Sequence, residues 1–104
     1  MQATPSLSVH SLSYVPYTVY ALIDPLDGTT RYVGITNNLP RRIIEHLSLR
    51  GSNLLLKAWI AALAVKGYIP VVKVMDICPR REIAALKEAC YIAANSETVY
   101  NLAA

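Results

Sequence analysis

The stretch from Tyr17 to Leu49, YTVYALIDPLDGTTRYVGITNNLPRRIIEHLSL, constrains the fold of this chain more than any other. It reads as a strand, a turn, a second strand and a helix. β-Branched and aromatic residues dominate Tyr17 to Ile23, and the turn cluster Asp24-Pro25-Leu26-Asp27-Gly28-Thr29 follows directly. The next run, Thr30-Arg31-Tyr32-Val33-Gly34-Ile35-Thr36, alternates apolar and less apolar positions, so the two runs make a hairpin.

The pleat gives that hairpin two faces. Tyr20, Tyr32, Gly34 and Thr36 fall on the even one, and Val19, Ala21, Ile23, Val33 and Ile35 on the odd one. Two phenols therefore share a face. They are neighbours only if residues paired across the strands have numbers that sum to an even value, and a slip of one residue separates them. After Thr36, Asn37-Asn38 supplies a helix N-cap, and Pro40 sits in the first turn, where its missing N–H costs nothing. Leu39, Ile43 and Leu47 recur at fourfold spacing as the predicted buried stripe, with Arg42 and His46 on the adjacent one. Taken alone, such an arginine and histidine form a solvated helix face.

Beyond this helix, Arg50-Gly51-Ser52-Asn53 breaks the pattern, and Ser52 or Asn53 caps a second helix running to about Lys66. It is apolar nearly all round and too short to span a membrane, which predicts a core helix with Trp59 in a packing role. Gly67 ends it, and Pro70 opens a third strand, Val71 to Met75. Asp76-Ile77-Cys78-Pro79 leads into a third helix, about Arg80 to Asn95, whose predicted core side is Ile83, Leu86, Cys90 and Ala94. Residues 1–16, MQATPSLSVHSLSYVP, contain Ser and Pro without a sustained period and read as a tail in which His10 is solvent-exposed.

With 104 residues and a hydrophobic fraction of 54%, the chain makes one compact domain, residues 17–104, and a second would not fit. The predicted fold is α+β: a small, mainly antiparallel sheet of three strands packed with three helices. Met1 to Ser13 lacks a basic start and a long apolar run, and no stretch is apolar for long enough to span a bilayer. A soluble, cytoplasmic protein is expected, with no membrane partner. Cys78 and Cys90 lack metal-like spacing and read as buried small hydrophobes. The net charge of +3 and a sequence pI near 9.0 favour a polyanionic partner, though many ordinary proteins share such an excess.

Taken in order, these residues resemble the GIY-YIG nuclease domain. The family's first motif, Gly-Ile-Tyr, stands here as Thr18-Val19-Tyr20, with threonine in place of glycine, and its second, Tyr-Ile-Gly, as Tyr32-Val33-Gly34. The arginine of its first helix falls on Arg42, the histidine one turn later on His46, the metal-binding glutamate on Glu88, and the asparagine near the C-terminus on Asn101. The middle segment, Lys57 through Leu63 to Gly67-Tyr68-Ile69-Pro70, is also similar to many small members. The resemblance covers about Tyr17 to Asn101, and its specificity lies in the ordered set.

The resemblance implies a metal-dependent DNA endonuclease with one Mg²⁺ or Mn²⁺ ion per site and no organic cofactor. A lone carboxylate such as Glu88 is ordinarily just solvated, but Mg²⁺ keeps several waters and needs only one or two protein carboxylates. Tyr20, assisted by His46, would take a proton from water, Arg42 would grip the scissile phosphate through its planar fork, Tyr32 would hydrogen-bond to phosphate or water, and Asn101 would organise the site. Arg31, Arg41, Arg50 and Lys57 are candidate phosphate contacts near that site in sequence, and Arg80 and Arg81 precede the third helix. Nothing reads bases, so cutting should show little sequence preference unless a dimer or an additional DNA-targeting domain supplies the target. The alternative is a catalytically inactive nucleic-acid-binding module of the same fold. A third reading, a protein-interaction domain, differs by lacking salt-sensitive DNA affinity.

Overall fold

A computed structural model describes residues 15–101. Strands β1 (Tyr17–Ile23), β2 (Thr30–Thr36) and β3 (Val71–Cys78) form one antiparallel sheet in the order β2-β1-β3, accompanied by helices α1 (Leu39–Leu47), α2 (Leu54–Val65) and α3 (Arg81–Ala94). This is the predicted α+β arrangement.

The hairpin register follows the parity rule. Thr18 lies opposite Thr36, Tyr20 opposite Gly34 and Leu22 opposite Tyr32. Even-numbered side chains thus share one face of β1 and β2, and the pleat sorts the core into two clusters. Tyr20 and Leu22 pack with Leu56, Trp59, Ile60 and Leu63, flanked by Leu39 and Ile43, which puts α1 and α2 on the even face. Val19 and Val33 pack with Cys78 and Ala84, flanked by Tyr91 and Ile92, which puts α3 on the other. β1 lies between the two layers, and Val19 to Leu22 are completely buried.

Local chemistry sets the helix ends. Asn38 caps α1 by accepting from Arg41 N–H at 3.2 Å, and Asn53 caps α2 by accepting from Leu56 N–H at 3.0 Å. Gly67, at φ +85°, supplies the left-handed residue after α2. Trp59 has the packing role predicted for it, and its Nε1–H donates to the buried Asp24 carboxylate at 3.0 Å.

Several expectations are corrected. α2 is not buried all round: only Leu56, Trp59, Ile60 and Leu63 are covered, while Leu54, Leu55 and Val65 are exposed. One sheet face covers one helix face, and among the described residues nothing lies over the other. α3 is rotated from its predicted phase. Ala84 is its buried residue, Glu88, Tyr91 and Ile92 are half-buried, and Ile83, Leu86, Cys90 and Ala94 are exposed. Apolar residues occur all round α3, so periodicity alone fixes no phase, and the small Ala84 permits close approach to the sheet. Cys78 is buried as predicted, but Cys90 is exposed. Leu47 is exposed at the end of its stripe. β3 runs three residues past Met75 because an extra residue there lets Asp76 to Cys78 rejoin the ladder with β1. Of the proposed tail, Val15 and Pro16 are exposed, and the rest, with His10, lies outside the described residues.

Replacing Trp59 by Phe keeps an aromatic ring and removes the donor to Asp24. Urea unfolding of Trp59→Phe should show a loss of about 1–3 kcal/mol, the cost of stranding a buried acceptor, with the m-value unchanged.

Candidate active site

The direct pairing of Tyr20 with Gly34 builds the centre of the site. A Cβ on Gly34 would stand 2.6 Å from Tyr20 Oη, 2.8 Å from its Cζ and 2.9 Å from Tyr32 Cε2. Only a residue without a side chain lets both rings settle there. Tyr20 and Tyr32 then lie diagonally across the strands with ring centroids 6.2 Å apart. α1 lowers His46 between them: Tyr20 Oη is 2.7 Å from His46 Nε2, and the Tyr32 ring meets the imidazole edge-on at 5.2 Å. His46 is 5% exposed and Tyr20 fully enclosed, so neither belongs to a solvated helix or sheet surface.

Burial governs the protonation of this pair. Removal from water, and then the nearby Arg42 guanidinium, push His46 down to about 4, so at neutral pH it is an uncharged imidazole. Burial, with Tyr32 alongside, raises the Tyr20 phenol well above its ordinary range, against the pull of Arg42. Tyr20 Oη and His46 Nε2, both uncharged, share one hydrogen bond, in which the phenol donates when the imidazole proton is on Nδ1. Burial works against the charge of Arg42, but the neighbouring Tyr20, Glu45 and Tyr32 more than offset it, and the guanidinium stays cationic. Its Nη1–H donates to Glu45 Oε1 at 3.1 Å, while Arg41 bonds to the other oxygen of the same carboxylate at 3.3 Å.

These groups border a cavity of about 500 Å³. Tyr32, Arg42, His46, Arg50, Lys57, Glu88 and Asn101 line it, with Leu56 and Ile60 as its apolar wall. Tyr20 stands behind His46. The structure thus brings together, from α1, α2, α3, β2 and the C-terminal segment, residues far apart in sequence. Glu88 reaches the cavity because of the phase of α3: it follows Ala84 by one turn on the inward side, and burial raises its pKa. Asn101 organises the wall, accepting from Val33 N–H at 3.0 Å and donating to Val33 O at 2.7 Å.

Arg41 and Arg31 do not line the cavity. Arg41 is exposed on α1. Arg31 is engaged within the chain, bonded to Asp27 Oδ2 at 3.2 Å and Thr98 O at 3.3 Å and stacked 5.4 Å from the Tyr100 ring centre. Two contributors are missed by sequence reasoning. Gly34 was readable as the partner of Tyr20 once the even register is assumed. Asn53 caps α2, lines the cavity and also donates to Tyr100 O at 2.8 Å, a contact without local sequence signal.

Against known families, the model of the GIY-YIG catalytic domain matches residues 16–101. The chain belongs to the GIY-YIG family. No curated protein and no solved structure gives a match. The two motifs that name the family are the strands that set Tyr20 against Gly34, with Thr18 in place of the first motif's glycine at the end of the ladder opposite Thr36. No helix among the described residues is long and apolar enough to cross a membrane.

His46 offers a direct test of this electrostatic picture. Its imidazole resonances should titrate near pH 4 in the folded chain, whereas a solvated histidine titrates near 6.5. The unfolded chain then binds the extra proton first. The contribution of this group to stability should be constant above about pH 6.5 and fall as pH drops toward 4, by up to about 3 kcal/mol. Proton NMR and urea unfolding across that window check both.

Proposed function

We propose that this domain is a metal-dependent DNA endonuclease that hydrolyses phosphodiester bonds at the cavity described above, with little intrinsic sequence preference. The observation that carries the reading is the convergence of a buried phenol–imidazole pair, a guanidinium and a lone carboxylate at one cavity. Phosphodiester hydrolysis asks for those functions: proton acceptance from water, stabilisation of phosphoryl charge and relief of charge on the leaving oxygen.

In this reading Arg42 grips the scissile phosphate with the part of its fork that Glu45 leaves available. Water approaches along the wall formed by Tyr32 and His46, and Tyr32 orients it. Tyr20, enclosed behind His46, receives the proton of a water that has to enter past the imidazole, and passes its own to His46 Nε2 along the hydrogen bond between them. At rest this transfer is uphill, because His46 is a weak base and Tyr20 a weak acid. A phosphate anion in the cavity raises the basicity of His46, and the adjacent cations favour the phenolate, so substrate itself prepares the pair.

The donor set fits a hard divalent ion. Glu88 is the one carboxylate among the residues lining the cavity, and no cluster of three or more His, Cys, Asp or Glu side chains occurs among the described residues. Mg²⁺ or Mn²⁺ suits such a site because it keeps waters and takes phosphate oxygens to complete its shell. Held by Glu88, the ion would supply charge stabilisation at the leaving 3′ oxygen. Arg50 and Lys57 line the same cavity and, with the exposed Arg41, would hold flanking phosphates. Such contacts position DNA without reading it.

Supercoiled plasmid incubated with the chain and Mg²⁺ or Mn²⁺ should be converted to nicked circles. Arg42→Ala and Glu88→Gln should each slow that conversion by about a hundredfold or more while leaving the circular dichroism spectrum unchanged. DNA binding without any cutting by the parent chain, on plasmid or branched substrates, replaces the nuclease reading with that of a binding module.

A further inference from the structure

We propose that two copies of this chain pair through the edge of β3 that no other described strand occupies, joining their sheets into one of six strands with the two α3 helices meeting across the seam. The two sheet edges are treated differently. Along β2, Tyr100 N–H donates to Arg31 O at 2.6 Å, Thr98 Oγ1–H to Thr30 O at 2.7 Å, and the Asn101 amide exchanges two hydrogen bonds with Val33. Along β3 no described segment does this, and Ile77 N–H has only the carboxylate of its neighbour Asp76, at 2.8 Å. An edge of this length with open backbone groups is a template for another strand.

The ladder fixes which groups face outward. Val33 commits its N–H and C=O to Asn101, so it forms a non-hydrogen-bonded pair with Ala21 opposite. Ala21 therefore turns its backbone groups toward β3, as do Val19 and Ile23. Their partners Lys73, Asp76 and Val71 point inward, which leaves Val72, Val74 and Ile77 pointing outward, in agreement with the bond made by Ile77 N–H.

A two-fold axis between Val74 and Met75 makes this edge complementary to itself. It sets Val72 opposite Ile77 and Lys73 opposite Asp76, each twice. The Val72–Ile77 pairs bring outward N–H and C=O groups face to face. The extra residue at Met75 places Lys73 and Asp76 on the same face, behind Ala21 and Val19, so Lys73 of one copy comes opposite the Asp76 carboxylate of the other, which already holds Lys87 of its own chain and can accept a second cation. The extra residue of one copy meets that of the other, and the register is kept.

The side chains along this edge agree. Val72, Val74 and Ile77 are exposed, and on α3 so are Ile83, Leu86 and Cys90, the stripe whose periodicity predicts a core. Leu86 and Cys90 border a hollow of about 340 Å³ that reaches Asp76. A second copy on β3 covers strand edge and helix stripe together. The pairing stands independently of the nuclease reading, but if that reading holds, it gives one particle two cutting sites.

Sedimentation of the full chain should show a dimer at about 100 µM. Ile77→Pro removes an outward N–H without touching the ladder with β1 and should give a folded monomer. Lys73→Glu alone, and Asp76→Lys alone, which also removes the partner of Lys87 in its own chain and is checked for folding by circular dichroism, each place like charges opposite one another twice and should also sediment as monomers. Mixed together, the two variants restore opposite charges at both positions and should dimerise. A parent chain that stays monomeric at that concentration, a dimer unaffected by these substitutions, or a mixture that fails to associate overturns the proposal.

Discussion

The hydrogen bond between Tyr20 and His46, made over the bare backbone of Gly34, is the contact on which the rest of the site depends. It joins the central strand to the first helix across a gap no larger than one hydrogen bond. The phenol fits only because the residue opposite has no side chain, and the imidazole stays uncharged chiefly because it is out of water. Arg42, one turn earlier on the same helix, is thereby held at the cavity wall, and its charge in turn keeps His46 from protonating.

Each layer of the fold contributes one element to this arrangement. The hairpin supplies the two tyrosines, and the short step through Asn38 fixes the phase in which α1 presents Arg42 and His46. α2 supplies the apolar wall and Lys57, and α3, on the far side of the sheet, supplies Glu88. The C-terminal segment closes the β2 edge through Asn101, which imitates a strand residue with its side-chain amide. The cavity is therefore a property of the complete fold: none of its charged groups would meet without the others' elements in place.

What could be read from the sequence follows the range of the interactions. The N-cap at Asn37-Asn38, the choice of Ser52 or Asn53 before α2 and the left-handed Gly67 are decided within a few residues and are legible, whereas the parity of the hairpin stands in the sequence only as a condition that the register then meets. The faces of α2 and α3 are not, because apolar residues surround both helices and their orientation is set by what packs against them. The burial of His46 was hidden for the same reason: only the placement of α1 over the tyrosines removes it from water. Glu88 shows the clearest effect of phase. The stripe chosen from periodicity turns it away from the sheet, whereas the observed rotation, led by the small Ala84, turns it toward the cavity. That displaced stripe reappears as an exposed apolar ridge beside an open strand edge.

The central claim is that the enclosed phenol is a chemical participant and not merely a packed ring. Single-turnover cleavage of a labelled duplex by Tyr20→Phe tests it most directly, since the substitution keeps the ring over Gly34 and removes only the hydroxyl that faces His46. Cleavage slowed about a hundredfold to ten-thousandfold, with folding and DNA affinity retained, is the predicted result. Cleavage at the parent rate would show that Tyr20 only fills the space, and would contradict the account.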